Sequence, residues 1–222
     1  MLSVFHLSVV ALNAYALWYD QKYVDIPFPS KDFESMPFKG RGLFLTIWCF
    51  VLQTLYFSVA LLNDLIATNK VQSKRPTLIR KIKGSIFSLA FPVAMVVSLA
   101  FWSLYFIDKD LIFPEHVEKA FPKWLNHTMH TLIVPFLLME LIFNRINYPS
   151  RRKGMFAVVL LSILYTLWSH IVYFRTGLWV YPVLNVISWY NRTLMMICNV
   201  VLALFVYLLG EKCNTLLSRN IT

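Results

Sequence analysis

The chain has 222 residues, 58% of them hydrophobic and only 14% charged, and its mean hydropathy of +0.60 describes an integral membrane protein rather than a soluble domain. At about 20 residues per spanning helix, this length accommodates about six spans and leaves no separate soluble domain. The net charge of +10 does not indicate a nucleic-acid partner, because the basic residues sit in short clusters between apolar runs, where they act as topology signals.

The first apolar run, about residues 2–19, is expected to be a retained span rather than a cleaved signal, since no basic segment precedes it. A solvated loop with Pro27, Pro29 and Pro37 follows. The second span, about 43–66, places Thr46, Gln53, Phe57 and Asp64 on nearly one line of a helix. Polar groups are expensive against lipid, so this stripe should face the bundle interior. Residues 67–83 carry Lys70, Lys74, Arg75, Arg80, Lys81 and Lys83 and no acid, which marks a cytoplasmic segment.

The third span, about 84–107, contains Pro92, which a membrane helix tolerates as a kink. A mixed loop with Glu115, His116 and Glu118 leads to the fourth span, about 125–144, which opens with His127 and His130. Arg145, Arg151, Arg152 and Lys153 form the second basic connection before the fifth span, about 155–174. An aromatic turn from Arg175 to Pro182 suits the headgroup zone, and the sixth span is about 183–209. Lys and Arg number twelve on one side of this arrangement and eight on the other, with Arg192 within a span. The expected fold is therefore all-α: one six-transmembrane-helix domain covering residues 1–222, with both termini cytoplasmic.

In that topology Thr46 and His130 enter their spans from the same non-cytoplasmic side and reach one depth. A threonine hydroxyl becomes a nucleophile when a base within about 2.6 to 3.2 Å removes its proton, and His130 can be that base. Asn126, His127, Gln53 and Arg192 are candidates for binding substrate or an oxyanion. The plainer alternatives are a Thr46 hydroxyl bonded back to the carbonyl four residues earlier, and a His130 imidazole bonded across the bundle. His127 and His130, three residues apart, could supply two metal ligands with Glu115, His116 or Glu118 as a third, but no motif such as HExxH accompanies them. Asp64, Glu140, His170 and Arg192 are the ionisable groups a transport path would use, with pairing or snorkelling the simpler reading. Cys49 and Cys198 lie in apolar runs and imply no disulfide framework.

The stretch Trp124-Leu125-Asn126-His127, followed by Met129-His130-Thr131, resembles the androgen-induced membrane-protein family. Matching segments cover almost the whole chain: Phe44-Leu45-Thr46, Leu52-Gln53-Thr54, Ala90-Phe91-Pro92-Val93, Asp110 to Pro114, Tyr148-Pro149-Ser150, Thr176-Gly177 to Pro182, and Tyr207 to Glu211. The resemblance implies a six-span hydrolase of fatty acid esters of hydroxy fatty acids, with Thr46 as nucleophile, His130 as base and no cofactor. Two departures stand out: Gly42-Leu43-Phe44 precede Thr46 where the family usually has a basic and then an aromatic residue, and Phe113 replaces a frequent tyrosine. The expected partners are membrane lipids and a lipid ester substrate. The expected location is the plasma membrane, or alternatively the endoplasmic reticulum. The non-enzymatic alternative is a scaffold or lipid-binding regulator controlling the surface expression of a partner protein.

Overall fold

A computed structural model describes residues 2–26, 28, 31–67 and 77–219; Pro27, Pro29, Lys70, Lys74 and Arg75 lie outside the described residues. The helices in chain order are α1 (Leu2–Tyr23), α2 (Lys31–Glu34), α3 (Leu45–Ala67), α4 (Leu78–Ile107), α5 (Glu115–Ala120), α6 (Lys123–His130), α7 (Ile133–Phe143), α8 (Arg151–Thr176), α9 (Pro182–Val186) and α10 (Trp189–Arg219), and no strand occurs among the described residues. Five of these are long and apolar enough to cross a membrane: α1, α3, α4, α8 and α10. A sixth crossing arises if α6 and α7, bent by 42° where they meet, are taken as one span.

The boundaries differ from the expected spans in informative ways. The expected continuous helix over 125–144 is two helices, broken at Thr131 and Leu132. The expected sixth span at 183–209 is a short α9 followed by a helix that begins only at Trp189 and runs to Arg219. In contrast, α4 passes through Pro92 unbroken and begins six residues earlier than the expected third span.

Helix α4 is central and packs against α3, α7, α8 and α10, while α1 packs on α3. The contacts are close enough to require glycine at particular places. A Cβ on Gly84 of α4 would lie 1.8 Å from the Asn147 carbonyl oxygen, and one on Gly154 of α8 would lie 2.1 Å from the Tyr207 hydroxyl of α10. Tyr56, Phe57, Phe87 and Leu137 are fully buried at the centre of the main apolar cluster.

The polar stripe of α3 does face inward. Gln53 and Phe57 are fully buried, and Asp64 meets His6 of α1 at 2.7 Å. His6 in turn reaches Glu140 of α7 at 2.8 Å. Glu140 also receives Lys83 of α4 at 2.7 Å, the Tyr56 hydroxyl at 2.5 Å and the Asn144 amide at 3.0 Å. Glu140 and His6 are both 0% exposed. The simpler of the two expectations for Asp64 and Glu140 was pairing or snorkelling; the structure gives pairing, inside the protein. A buried carboxylate is tolerated only when paired and hydrogen-bonded in this way.

These contacts order the two ends of the bundle. One end holds the start of α1, the end of α3, the start of α4 and the end of α7, joined through Glu140. It also holds the start of α8 and the last turns of α10, where Arg151 pairs with Glu211 at 2.7 Å and the Asn214 side chain bonds the Ile146 amide at 3.0 Å. At the other end Arg41 pairs with Asp20 of α1 at 3.1 Å. The helices thus alternate in direction, and the chain enters and leaves at one end.

Replacing Glu140 by Ala leaves the buried Lys83 without its carboxylate partner and His6 with Asp64 alone. We expect Glu140→Ala to lower unfolding free energy by roughly 3–5 kcal/mol in detergent micelles. Glu115→Ala, which removes only the exposed pair with Lys119, should change the unfolding midpoint little.

Candidate active site

Thr46 is the second residue of α3, and that position decides the fate of its hydroxyl. Further along the helix, Thr54 and Ser58 donate back to the carbonyls of Phe50 and Thr54 at 2.7 and 2.8 Å, the ordinary behaviour of a membrane hydroxyl. The carbonyl four residues before Thr46 belongs to Gly42, which lies outside α3 and accepts the Trp48 indole N–H at 2.9 Å. Thr46 Oγ1 meets His130 Nε2 at 3.3 Å, just beyond the reach of about 2.6 to 3.2 Å for proton transfer, a contact of the kind that tightens when substrate binds.

His130 is the last residue of α6 and is buried. Its Nδ1 lies 2.7 Å from Asn126 Oδ1 and 3.1 Å from the Asn126 carbonyl oxygen. A carbonyl oxygen can only accept, so Nδ1 carries the proton and Nε2 turns its lone pair toward Thr46. Phe101 of α4 stacks on the imidazole with centroids 3.7 Å apart and planes 14° from parallel, which holds the ring orientation.

The break after His130 has a sequence cause. Pro135 has no N–H for the Thr131 carbonyl four residues back, and its ring would clash there, so a continuous helix over 125–144 is disfavoured. The amides of Thr131 and Leu132 both bond the His127 carbonyl, at 2.8 and 2.9 Å. The second is an i→i−5 bond of the kind found at π-bulges. Pro135 then occupies the first turn of α7, where a proline is tolerated.

The two histidines, both within α6, meet different partners. His127 is exposed, stacks on Trp102 at 5.4 Å and bonds Thr131 Oγ1 at 3.1 Å. The acids considered as a third metal ligand are engaged elsewhere: Glu115 pairs with Lys119 at 2.8 Å, and Glu118 pairs with Lys109, whose hydrogen bond holds the Glu118 carboxyl below its ordinary range. Among the described residues no three His, Cys, Asp or Glu side chains converge as a metal-binding group.

A cavity of about 660 Å³ lies against the pair. Thr46 and His130 line it together with apolar groups of α4, α8 and α10, such as Val97, Leu161 and Val200. The volume and apolar walls suit a lipid chain. Its rim includes the exposed His116, and the buried Asp20–Arg41 pair forms part of its wall.

The remaining candidates are placed as follows. Asn126 stands behind His130 as its hydrogen-bond acceptor. Gln53 donates to the Ile133 carbonyl at 2.7 Å and accepts from Asn13 at 3.4 Å, tying α3 to α7 and α1. Arg192 donates to the Leu184 carbonyl at 2.6 Å and lies over Trp189 and Trp179, 4.8 and 5.2 Å from their centroids. None of Asn126, His127, Gln53 and Arg192 lines the cavity. His170 bonds the Thr166 carbonyl at 2.8 Å, so the four groups of a transport path divide between opposite ends of the bundle.

Three residues around the pair are not among the site candidates read from the sequence, although Tyr181 falls in the aromatic turn from Arg175 to Pro182. Phe101 holds the imidazole, and the hydroxyls of Tyr165 and Tyr181 each lie 3.0 Å from the Leu45 amide. The Pro135 break was legible in principle. The tyrosines, 120 and 136 positions from Leu45, carried no local signal.

The comparisons with known proteins agree with one another. The family of FAR-17a/AIG1-like proteins matches residues 1–215. The human androgen-induced gene 1 protein is 34% identical over 199 residues, 86% of this chain and 82% of the relative. The human androgen-dependent TFPI-regulating protein is 36% identical over 179 residues, 79% of this chain and 76% of the relative; its rat counterpart is 35% identical over 201 residues, 89% and 87% respectively. No solved structure matches.

The geometry predicts one tautomer. In protein carrying 15N-labelled histidine, His130 should show a protonated Nδ1 and a bare Nε2, and Thr46→Val should leave this unchanged. A protonated Nε2 would contradict the assigned roles.

Proposed function

The chain belongs to the FAR-17a/AIG1-like family, and from the Thr46–His130 pair beside an apolar cavity we propose that it is an intramembrane threonine hydrolase. The substrate class is the fatty acid esters of hydroxy fatty acids, and the bond cleaved is the ester between the two acyl units. The observation that carries this reading is the 3.3 Å contact between Thr46 Oγ1 and His130 Nε2.

His130 accepts the Thr46 proton at Nε2 as Oγ1 adds to the ester carbonyl carbon. The tetrahedral intermediate collapses, the hydroxy fatty acid leaves with the proton from His130, and an acyl-threonine remains. Water, deprotonated by His130, then releases the fatty acid and restores the hydroxyl. Asn126 holds the imidazole tautomer, and Phe101 holds its plane. No cofactor takes part in this scheme.

The apolar substrate is consistent with the surroundings. A 660 Å³ cavity with apolar walls accepts an acyl chain from the bilayer, while the position of Thr46 in the first turn of α3 keeps the ester near the membrane interface. The plasma membrane is the proposed location, with the endoplasmic reticulum as the alternative. The name of one relative, a TFPI-regulating protein, supports a second reading in which the protein regulates the surface expression of a partner without hydrolysis.

Thr46→Ala and His130→Ala should each lower hydrolysis of a palmitoyl ester of hydroxystearic acid by at least about a thousandfold at normal expression. Thr46→Ser should keep measurable turnover, and His127→Ala should cost far less than His130→Ala. A fluorophosphonate probe should label the wild type and not Thr46→Ala. Full activity in Thr46→Ala would sink the threonine mechanism, and a folded wild type inactive on every lipid ester would favour the regulatory reading.

A further inference from the structure

The addition of Thr46 to an ester places negative charge on the former carbonyl oxygen, and hydrolases stabilise that charge with prearranged donors. The side chains of Asn126, Gln53 and Arg192 do not line the cavity. The wall beside Thr46 holds two phenols: Tyr165 of α8 and Tyr181, the residue before α9, both lining the cavity.

Their protons are not equivalent. The Leu45 amide, one residue before Thr46, lies 3.0 Å from each phenol oxygen. Tyr165 has the Leu43 carbonyl oxygen at 3.1 Å and the Tyr181 oxygen at 3.2 Å as acceptors for its single proton. Tyr181 has no backbone acceptor for its own proton among these contacts; its oxygen receives the Leu45 amide, and the Tyr165 proton when that proton is not on the Leu43 carbonyl. The Tyr181 proton can therefore turn into the cavity without breaking a bond to the backbone.

The ring is also held in place. Pro182 opens α9 directly after it, the Asn185 side chain accepts from the Trp179 amide at 3.0 Å, and Phe44 packs on the Tyr181 ring with centroids 5.7 Å apart. Burial pushes the Tyr181 phenol up from its ordinary value, so the group remains protonated and able to donate. The segment Arg175 to Pro182, expected from the sequence to be a headgroup-zone turn, brings Tyr181 to the start of α3.

We propose that the Tyr181 hydroxyl is an oxyanion donor of the active site, with Tyr165 as the positioning residue that holds it against α3. This rests on the hydrolase reading above. In the addition step the Thr46 Oγ1–carbon bond forms, the carbonyl π pair moves onto oxygen, and the Thr46 proton passes to His130. Tyr181 donates a hydrogen bond to the oxyanion and keeps its proton. Collapse returns the pair to the carbonyl as the carbon–alkoxy bond breaks, and His130 supplies the proton to the leaving oxygen.

The test is steady-state kinetics of the purified full chain in detergent micelles on a palmitoyl ester of hydroxystearic acid, with melting temperatures measured alongside. Tyr181→Phe should lower kcat by about 10²–10³-fold with KM changed less than about threefold, and should melt no lower than Tyr165→Phe. Equal losses of kcat and melting temperature in the two tyrosine variants would make both phenols mere caps of α3 and overturn the proposal. If Tyr181→Phe does not fold, Tyr181→fluorotyrosine keeps the packing: kcat rising with phenol acidity supports the donor, and kcat indifferent to it overturns the donor. Thr46→Ala is run in parallel. If it retains activity, the hydrolase reading itself fails; if it is inactive while Tyr181→Phe keeps full kcat, only the oxyanion assignment fails.

Discussion

Glu140 is the constraint on which the arrangement of this bundle depends. In a hydrocarbon environment no water relieves an unpaired charge, so a carboxylate at 0% exposure must find all of its partners within the protein. It finds them on three other helices and beside its own: His6 on α1, Tyr56 on α3, Lys83 on α4 and Asn144 at the end of its own helix. Apolar packing alone leaves a helix able to slide or rotate at little cost. Hydrogen bonds of defined length to one side chain do not, and these contacts set the register of α1, α3, α4 and α7 together.

Register at one end determines geometry at the other. Asp64 and Thr46 are 18 residues apart on α3, about 27 Å along the helix, so the helix carries the alignment made at the Glu140 cluster to the level of the hydroxyl. Midway, Gln53 bonds the Ile133 carbonyl at 2.7 Å and ties α3 to the first residue of α7, just past the break. The site is thus suspended between two polar fastenings. Neither is in the cavity, and both bear on whether a threonine on α3 and a histidine on α6 stand within reach of each other.

The helix break contributes the other half of the geometry. Within α6 His127 and His130 lie on neighbouring parts of one helical face. The 42° bend sets how α6 as a whole lies relative to α7, and in that setting His130 meets Thr46 while His127 stacks on Trp102. The arrangement around Thr46 follows a similar logic: a hydroxyl deeper in α3 bonds its own helix, as Thr54 and Ser58 do, whereas one in the first turn is available to a neighbour. The residues just before Thr46 form a 3-10 turn, Arg41–Leu43, from which Arg41 reaches Asp20.

Composition, hydropathy and the placement of basic clusters were sufficient for an all-helical membrane bundle, because the cost of burying charge in lipid acts on each segment separately and is written in its residues. The inward stripe of α3 was legible for the same reason. Thr46 and His130 could be brought to one depth by counting charges and named by family resemblance, but depth is a single coordinate, and it left Asn126, Gln53 and Arg192 as equal candidates for an oxyanion donor. Only the tertiary structure shows that none of the three lines the cavity beside Thr46. His6, Phe101, Tyr165 and Tyr181 could not be found from sequence at all, since each acts on a residue many positions away. Helical periodicity tells which residues share a face. The rotation of each helix about its axis, which decides what that face meets, is a property of the packed bundle alone.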